Sequence, residues 1–466
     1  MKSKIKILII CFVLSSANYF AQFTKLFDFD GSITGSAING SFVTDGTYFY
    51  GMTASGGTNN KGTIFRIMPD GSNYLKLFDF NGINGAYPKG SLISDGTFLY
   101  GITSEGGTGT ACSSLGCGVI FKIKLDGTSF TKLLDFNGTN GNFPYASLIS
   151  DGTYLYGTTE GGGANLKGTI FKIKTDGTSY SNIYDFNGTN GKYPRSSFYT
   201  DGVFLYGMTD AGGVGSCTYG CGVVFKIKTD GSGFLKLFDF SGTNGSSPYC
   251  TFISDGTFLY GMTYSGGTNN KGTIFRIMPD GSGFLTLLNF DGINGDSPWG
   301  SLVSDGTYLY GMTNSSGSTN QGLLFKIKLD GTGYNKVIDF TGTLTGSYPQ
   351  GTLFLNGGFL YGGAGQGGVN DFGTIFKLGL LTNIDEENGL NQAINIFPNP
   401  TNVTLSITSS LDYSSIKIIN SIGQTTLNQE NKQGVIFISD LSNGIYFIQL
   451  LDKNGNILKT EKFLKE

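Results

Sequence analysis

The chain has 466 residues, 75 of them glycine and 14% aromatic, with a formal net charge of -3 and no histidine. Glycine at that density disfavours helices, where each interior glycine costs about 1 kcal/mol relative to alanine, and the aromatic share suits short strands joined by tight turns, so the composition predicts an all-β fold. The acidic balance excludes a nucleic-acid binder that relies on a generally basic surface, and the missing histidine excludes Ser-His-Asp and Cys-His catalysis along with the commonest metal ligand.

Residues 1–21 carry Lys2, Lys4 and Lys6, an apolar run from Ile7 to Leu14, and small residues at Ser15, Ser16, Ala17 and Ala21. That order resembles a secretory signal peptide and predicts one over 1–21, and its apolar run is too short for a membrane span. Cys11 sits inside the apolar run, where a lipoprotein signal would not place it.

From there on the chain is periodic. Tyr-Gly recurs at Tyr50, Tyr100, Tyr156, Tyr206, Tyr260, Tyr310 and Tyr361, at intervals of 50 to 56 residues. Each unit holds four strand-like runs, which in the second are Ser91 to Ser94, Phe98 to Thr103, Val119 to Lys124 and Phe130 to Phe136. Asp-Gly pairs such as Asp95-Gly96 and Asp126-Gly127 supply the positive φ of tight hairpins, so the four runs form one antiparallel sheet. Runs such as Thr63 to Met68 are apolar on both faces, as expected for sheets packed against neighbouring sheets. Seven such units predict a seven-bladed β-propeller over 22–379.

The register is offset: Phe23 to Phe29 is a fourth strand with no blade before it, and the last unit ends on its third strand, Thr374 to Leu378. The N-terminal strand is therefore expected to close the ring and cover an edge that would otherwise invite aggregation. Residues 380–393, with Asp385, Glu386 and Glu387, read as a linker. A separate domain follows over 394–466.

The repeated LYGMT, GGT, KGTIFKI, DGT and FDF elements, clearest from Leu259 to Phe290, resemble the Gloeo-Verruco (GloVer) tandem-repeat family across roughly Phe23 to Leu378. The resemblance implies a repeat architecture and no particular chemistry. Residues from Ile396 to the basic terminus resemble a type IX secretion sorting domain: Pro398, Asn399 and Pro400 match its entry motif, Gly444 and Tyr446 its Gly-x-Tyr strand, and Lys459, Lys462 and Lys465 its closing strand. That resemblance implies a small β-sandwich, the type IX secretion machinery as partner, and an extracellular or outer cell-surface destination reached through the periplasm.

In an oxidising location Cys112 with Cys117, and Cys217 with Cys221, are expected to form local disulfides; metal binding is the competing reading, weakened by the separation of the pairs and the lack of histidine. Cys250 takes a position held elsewhere by Gly40, Gly90, Ala146, Ser196, Gly300 and Gly351 and reads as a small buried residue. Within the repeats the only glutamates are Glu105 and Glu160, with Asp210 in the next blade; as carboxylates in neighbouring loops they are the candidates for glycosidase or lyase chemistry, the alternative being plain solvated loop residues. No cofactor is expected; turns such as Asp79 to Gly85 suggest calcium as the one metal to consider, although they lack EF-hand spacing. The recurring aspartates, replaced by Asn289 and Asn356 in single repeats, read as turn architecture.

Variation within the fixed frame is more informative. Where each first strand begins, the seven residues are Asn39, Lys89, Tyr145, Arg195, Tyr249, Trp299 and Gln350, all polar, charged or aromatic. First strands line the channel of a propeller, so these seven are expected to form a ligand face for glycans or proteins, or else to fill the channel mouth. The reading is a secreted or cell-surface binding or adhesion protein without enzymatic activity. A carbohydrate-active enzyme and a purely structural surface protein are the alternatives.

Overall fold

The computed structural model describes residues 23–109, 112, 115–380, 394–397, 401–409, 413–420, 425–430, 435–453 and 457–465, and no helix occurs among them. The segment expected to be a signal peptide, residues 381–393 of the expected linker and the Pro398-Asn399-Pro400 motif lie outside the described residues, whereas Leu380 is tied to the repeat unit, its N donating to the Gly358 carbonyl at 3.1 Å. Two compact units are present, Met1–Leu381 and Thr382–Glu466.

The first unit consists of seven four-stranded antiparallel sheets that follow one another in sequence order, the arrangement of a β-propeller. The second sheet illustrates them all, with strands Ile93–Ser94, Phe98–Thr103, Val119–Lys124 and Thr131–Asp135. The hairpin glycines behave as their sequence predicts: Gly96 has φ 88° and Gly127 φ 86°, conformations that cost a side chain dearly. The seventh sheet draws on both ends of the unit. Phe354–Asn356, Phe359–Ala364 and Thr374–Gly379 are joined by Phe23–Asp28, which pairs antiparallel with Thr374–Gly379 from Phe23↔Leu378 to Asp28↔Thr374.

Sheets pack through their apolar faces. Tyr50 and Ile64 of the first sheet share a buried cluster with Leu99, Phe121 and Ile123 of the second. Fourth strands contribute rings that stack on the residue leading into the next sheet's fourth strand: Phe78 on Phe130 at 4.0 Å, Phe238 on Phe284 at 4.0 Å, and Phe27 on Tyr74 at 4.2 Å. Phe27 belongs to the seventh sheet and Tyr74 to the first, so the same contact recurs between last and first.

The first strand is shorter than expected. In the second sheet only Ile93–Ser94 pairs as strand, not Ser91 to Ser94. The missing residues are engaged sideways: Ser41 N donates to Ser91 Oγ, Ser91 N to Ser147 Oγ and Ser147 N to Ser197 Oγ, each at 2.8 Å, linking successive sheets near the axis. Close approach there explains the small residues. A Cβ on Gly300 would lie 2.0 Å from the Gly351 carbonyl oxygen of the next sheet. Gly300→Ala is therefore expected to lower stability by about 1–3 kcal/mol, the usual cost of overpacking, measurable by urea unfolding. Cys250, at the same repeat position, is buried as the sequence suggests, its thiol raised to about 12 by burial.

The second unit has a three-stranded sheet, Ile394–Phe397, Thr404–Ser409 and Val435–Phe437, and a four-stranded sheet ordered Thr425–Glu430, Ser415–Asn420, Gly444–Leu451, Ile457–Lys465. Leu405, Ile407 and Ile436 from the first, and Ile416, Ile418, Ile448 and Phe463 from the second, share one buried cluster.

Candidate functional site

All seven variable residues line one cavity of about 930 Å³ in the repeat unit: Asn39, Lys89, Tyr145, Arg195, Tyr249, Trp299 and Gln350. The fold brings them together because each begins its sheet's innermost segment, held by the serine chain around the axis. Glu105, and Leu115 from the first disulfide loop, reach the same cavity, so the second-to-third-strand loops do share its end of the unit.

The wall is asymmetric. Tyr249 lies 5.0 Å from Trp299, and Tyr264 packs against both, at 5.2 Å from Tyr249 and 5.4 Å edge-on to Trp299. The Arg195 guanidinium sits 5.2 Å from the Tyr145 ring and 5.3 Å from the Tyr249 ring, extending the aromatic wall with a further planar group. Gln350, Asn39 and Lys89 supply amide and ammonium groups on the rest of the circumference.

Arg195 ties the candidate carboxylates together. Its Nη2 donates to Glu160 Oε1 at 2.6 Å, and Nη1 lies 3.7 Å from Asp210 Oδ2. Burial works against the arginine's charge, but Glu160 and Asp210 outweigh it and raise its pKa. Asp210 is pushed above the usual carboxylate range by burial, with Arg195 pulling the other way. Burial likewise lowers the Lys89 ammonium, opposed by Glu105. Burial and then Glu160 raise the Tyr145 phenol, and burial with Asp210 takes the Tyr249 phenol to about 12. Three buried polar atoms around the cavity have no protein partner, namely Asn39 Oδ1, Glu105 Oε2 and Arg195 Nε. Such atoms are normally satisfied by water or ligand.

Tyr264 was not singled out by the sequence, yet the signal existed. The residue after each second strand runs Ala54, Ser104, Glu160, Asp210, Tyr264, Asn314 and Gly365, a second position that varies within a fixed frame.

The cysteines are paired as Cys112–Cys117 and Cys217–Cys221. Among the described residues no three His, Cys, Asp or Glu side chains converge as a metal site requires. In the Asp79 to Gly85 turn the amides satisfy one another: Asn81 N donates to Asn84 Oδ1 at 2.8 Å and Asn84 N to Asn81 Oδ1 at 3.0 Å. Asp79 Oδ1 accepts from Thr58 N, and Asn289 does the same for Thr268 N. In the second unit Gly444 and Tyr446 lie on Gly444–Leu451 and Lys459, Lys462 and Lys465 on Ile457–Lys465, with the Tyr446 ring stacked on Phe463 at 5.6 Å. No helix among the described residues is long and apolar enough to cross a membrane.

The fold is similar to that of an oligogalacturonate lyase from Vibrio parahaemolyticus, at 11% identity and a TM-score of 0.52, over 78% of this chain and 95% of that one. It is similar as well to the GH74 enzyme of Niastella koreensis, at 14% identity and a TM-score of 0.50, over 92% and 73%. PorZ, a surface component of the type IX secretion system of Porphyromonas gingivalis, matches at 14% identity and a TM-score of 0.43, over 94% of this chain and 60% of that one. At such identities the likeness shows the fold alone. No curated protein matches the chain. Residues 395–466 match the secretion system C-terminal sorting domain, which implies export to the cell surface or the extracellular space through the type IX machinery. With matches over 12–151, 110–315 and 215–388, the chain belongs to the Gloeobacter/Verrucomicrobia repeat family.

Proposed function

We propose that the chain is a non-enzymatic binding or adhesion protein whose cavity in the repeat unit takes glycan ligands, with exposed protein segments as the other ligand class. In this organisation 1–21 is a cleaved leader and 22–379 a ring closed by the strand Phe23–Asp28. Residues 380–393 are a connector and 394–466 the sorting domain.

The observation that carries the reading is the cavity wall. Seven positions free of architectural duty converge on about 930 Å³ and present aromatic faces at Tyr145, Tyr249 and Trp299 opposite the amides of Gln350 and Asn39. Flat apolar faces with hydrogen-bonding groups nearby suit sugar rings, which offer C–H faces and hydroxyl edges.

The test is a glycan array followed by titration calorimetry on the mature chain. Trp299→Ala is expected to weaken binding at least tenfold, in keeping with about 1.5–3 kcal/mol for a buried aromatic anchor, while leaving the melting temperature close to wild type. Unchanged affinity would remove the cavity from consideration.

One observation favours the carbohydrate-active alternative: burial raises the Asp210 carboxyl, as a proton donor would need. Against it, Glu160 and Asp210 share a single guanidinium. Products appearing from a bound polysaccharide, and lost in Asp210→Asn, would move the reading to that alternative.

A further inference from the structure

A second pocket lies beside the Cys217–Cys221 loop, and the repeats themselves supply the comparison that interprets it. Its volume is about 340 Å³, and its lining includes Lys167, Lys192, Thr189, Gly213, Thr218 and Tyr219. Lys167 and Lys192 stand in the same relation as Lys271 and Asp296 two blades on. In both places the first residue's carbonyl accepts a backbone bond, from Tyr193 N to Lys167 O at 2.9 Å and from Ser297 N to Lys271 O at 3.0 Å. In both the second residue forms an antiparallel bridge, Lys192↔Ala211 and Asp296↔Ser315.

At the later position the side chains meet: Lys271 Nζ lies 2.5 Å from Asp296 Oδ2. In the first blade Lys61 instead donates to the Tyr87 hydroxyl at 2.9 Å, with Ala86 at the partner position. At Lys167 and Lys192 both groups are ammoniums. Among the described residues no hydrogen-bond acceptor reaches either one, and Lys192 Nζ rests 4.9 Å from the Tyr219 ring and 5.3 Å from the Tyr193 ring. Burial, and then Lys167, lower the Lys192 pKa, while Asp210 opposes them. Asp210 is itself committed to Arg195. A carboxylate is thus missing from the place where the equivalent blade has one.

We propose that this pocket binds an oxyanion, carboxylate or sulfate, carried by an acidic glycan, so that the ligand surface includes a charged subsite at Lys167 and Lys192. The glycan assignment rests on the reading of the cavity given above, whereas the anion site stands on the lysine pair. The bound oxyanion takes the role of the Asp296 carboxylate and bridges the two ammoniums, and Tyr219, 72% exposed, offers a ring face to the sugar that carries it. The acidic balance of the whole chain does not oppose this, because a two-lysine pocket acts within a Debye length of about 8–10 Å.

The test uses the mature full-length chain in thermal unfolding, titrated separately with sodium galacturonate and sodium sulfate at constant ionic strength. A saturable rise in melting temperature is expected with at least one of them, and the effective salt identifies the group as carboxylate or sulfate. Lys192→Asp recreates the Lys271 and Asp296 pair, so it is expected to fold and to weaken the anion response at least tenfold; Lys167→Gln should weaken it similarly. No saturable rise in wild type, or an undiminished one in Lys192→Asp, overturns the anion site. Polygalacturonate or a sulfated galactan bound no more tightly than a neutral galactan overturns the glycan assignment while leaving the anion site standing. Trp299→Ala, read on the neutral polymer, reports on the first cavity alone.

Discussion

Removing Phe23 to Asp30 is expected to abolish cooperative unfolding and to send the protein into aggregates, seen as loss of the monomer peak in size-exclusion chromatography. This strand is the fourth of the seventh sheet, and without it Thr374–Gly379 becomes a bare edge of unpaired N–H and C=O groups, a template for pairing with other chains. The deletion strips out packing as well. Phe23 stacks on Phe376 at 5.3 Å, Phe27 on Tyr74 at 4.2 Å, and the fully buried Phe29 meets Phe65 edge-on at 5.7 Å. Losing a buried Phe side chain costs about 3–5 kcal/mol, so the loss of Phe29, together with the partly buried Phe23 and Phe27, takes a large share of the stability of about 5–15 kcal/mol typical of a domain. Phe27 and Phe29 contact residues of the first sheet, so the loss falls on the junction between the last blade and the first. Grafting the same eight residues after Leu381 should restore the monomer, because the strand would then reach the same edge from the other side. A deletion variant that stays monomeric with an unchanged melting temperature would show that this strand is dispensable.

Acid is expected to unfold the repeat unit cooperatively, with stability level above about pH 5 and falling steeply below about pH 4. Six equivalent aspartates account for this: Asp45, Asp95, Asp151, Asp201, Asp255 and Asp305. In the sixth repeat, as in the others, Asp305 Oδ1 accepts the N–H of Thr307 and Tyr308 at 2.8 Å and Oδ2 accepts the Tyr310 hydroxyl at 2.8 Å. Burial pushes each carboxyl up, but those bonds outweigh it and hold all six below their ordinary value of 3.8. A folded-state pKa below the unfolded one gives stability that is complete above the unfolded pKa and is lost as pH falls through the folded pKa. The tyrosines mirror this at high pH. Burial and the aspartate partner raise Tyr50, Tyr100 and Tyr260 to about 12, so their contribution is complete below the unfolded pKa and is lost as pH rises through the folded one.

Urea midpoints at a series of pH values would check the acid limb, and a constant midpoint down to pH 2.5 would show that these bonds carry no net weight. Asp255→Asn isolates one of them: it keeps the Oδ1 acceptor but removes the acceptor for Tyr260, costing about 1–2 kcal/mol at neutral pH and shallowing the acid slope. The seventh repeat already has that substitution in Asn356, and there burial alone raises the Tyr361 phenol.

What the sequence revealed and what it concealed divide along chain distance. Tyr-Gly pairs, Asp-Gly turns and apolar runs recur at a fixed period, and each depends on contacts within one repeat, so the strands and hairpins were legible to within a residue or two. The exception is the first strand, which is trimmed to two residues because Ser91 and its equivalents bond to the neighbouring sheet rather than within their own ladder. The seven cavity residues were legible for the opposite reason: a position that changes from Asn39 to Trp299 inside a constant frame has no packing duty to fulfil.

Sequence by itself determined the all-β repeat architecture, the offset first strand, the cysteine pairing and the sorting domain, since each is written in local spacing or in a motif. Only the tertiary structure decided that Tyr264 joins Tyr249 and Trp299, that Arg195 holds Glu160 and Asp210 on one guanidinium, and that Lys167 and Lys192 line one pocket. Those relations join residues tens of positions apart, and side-chain reach and burial, which the linear order does not encode, fix which of them meet.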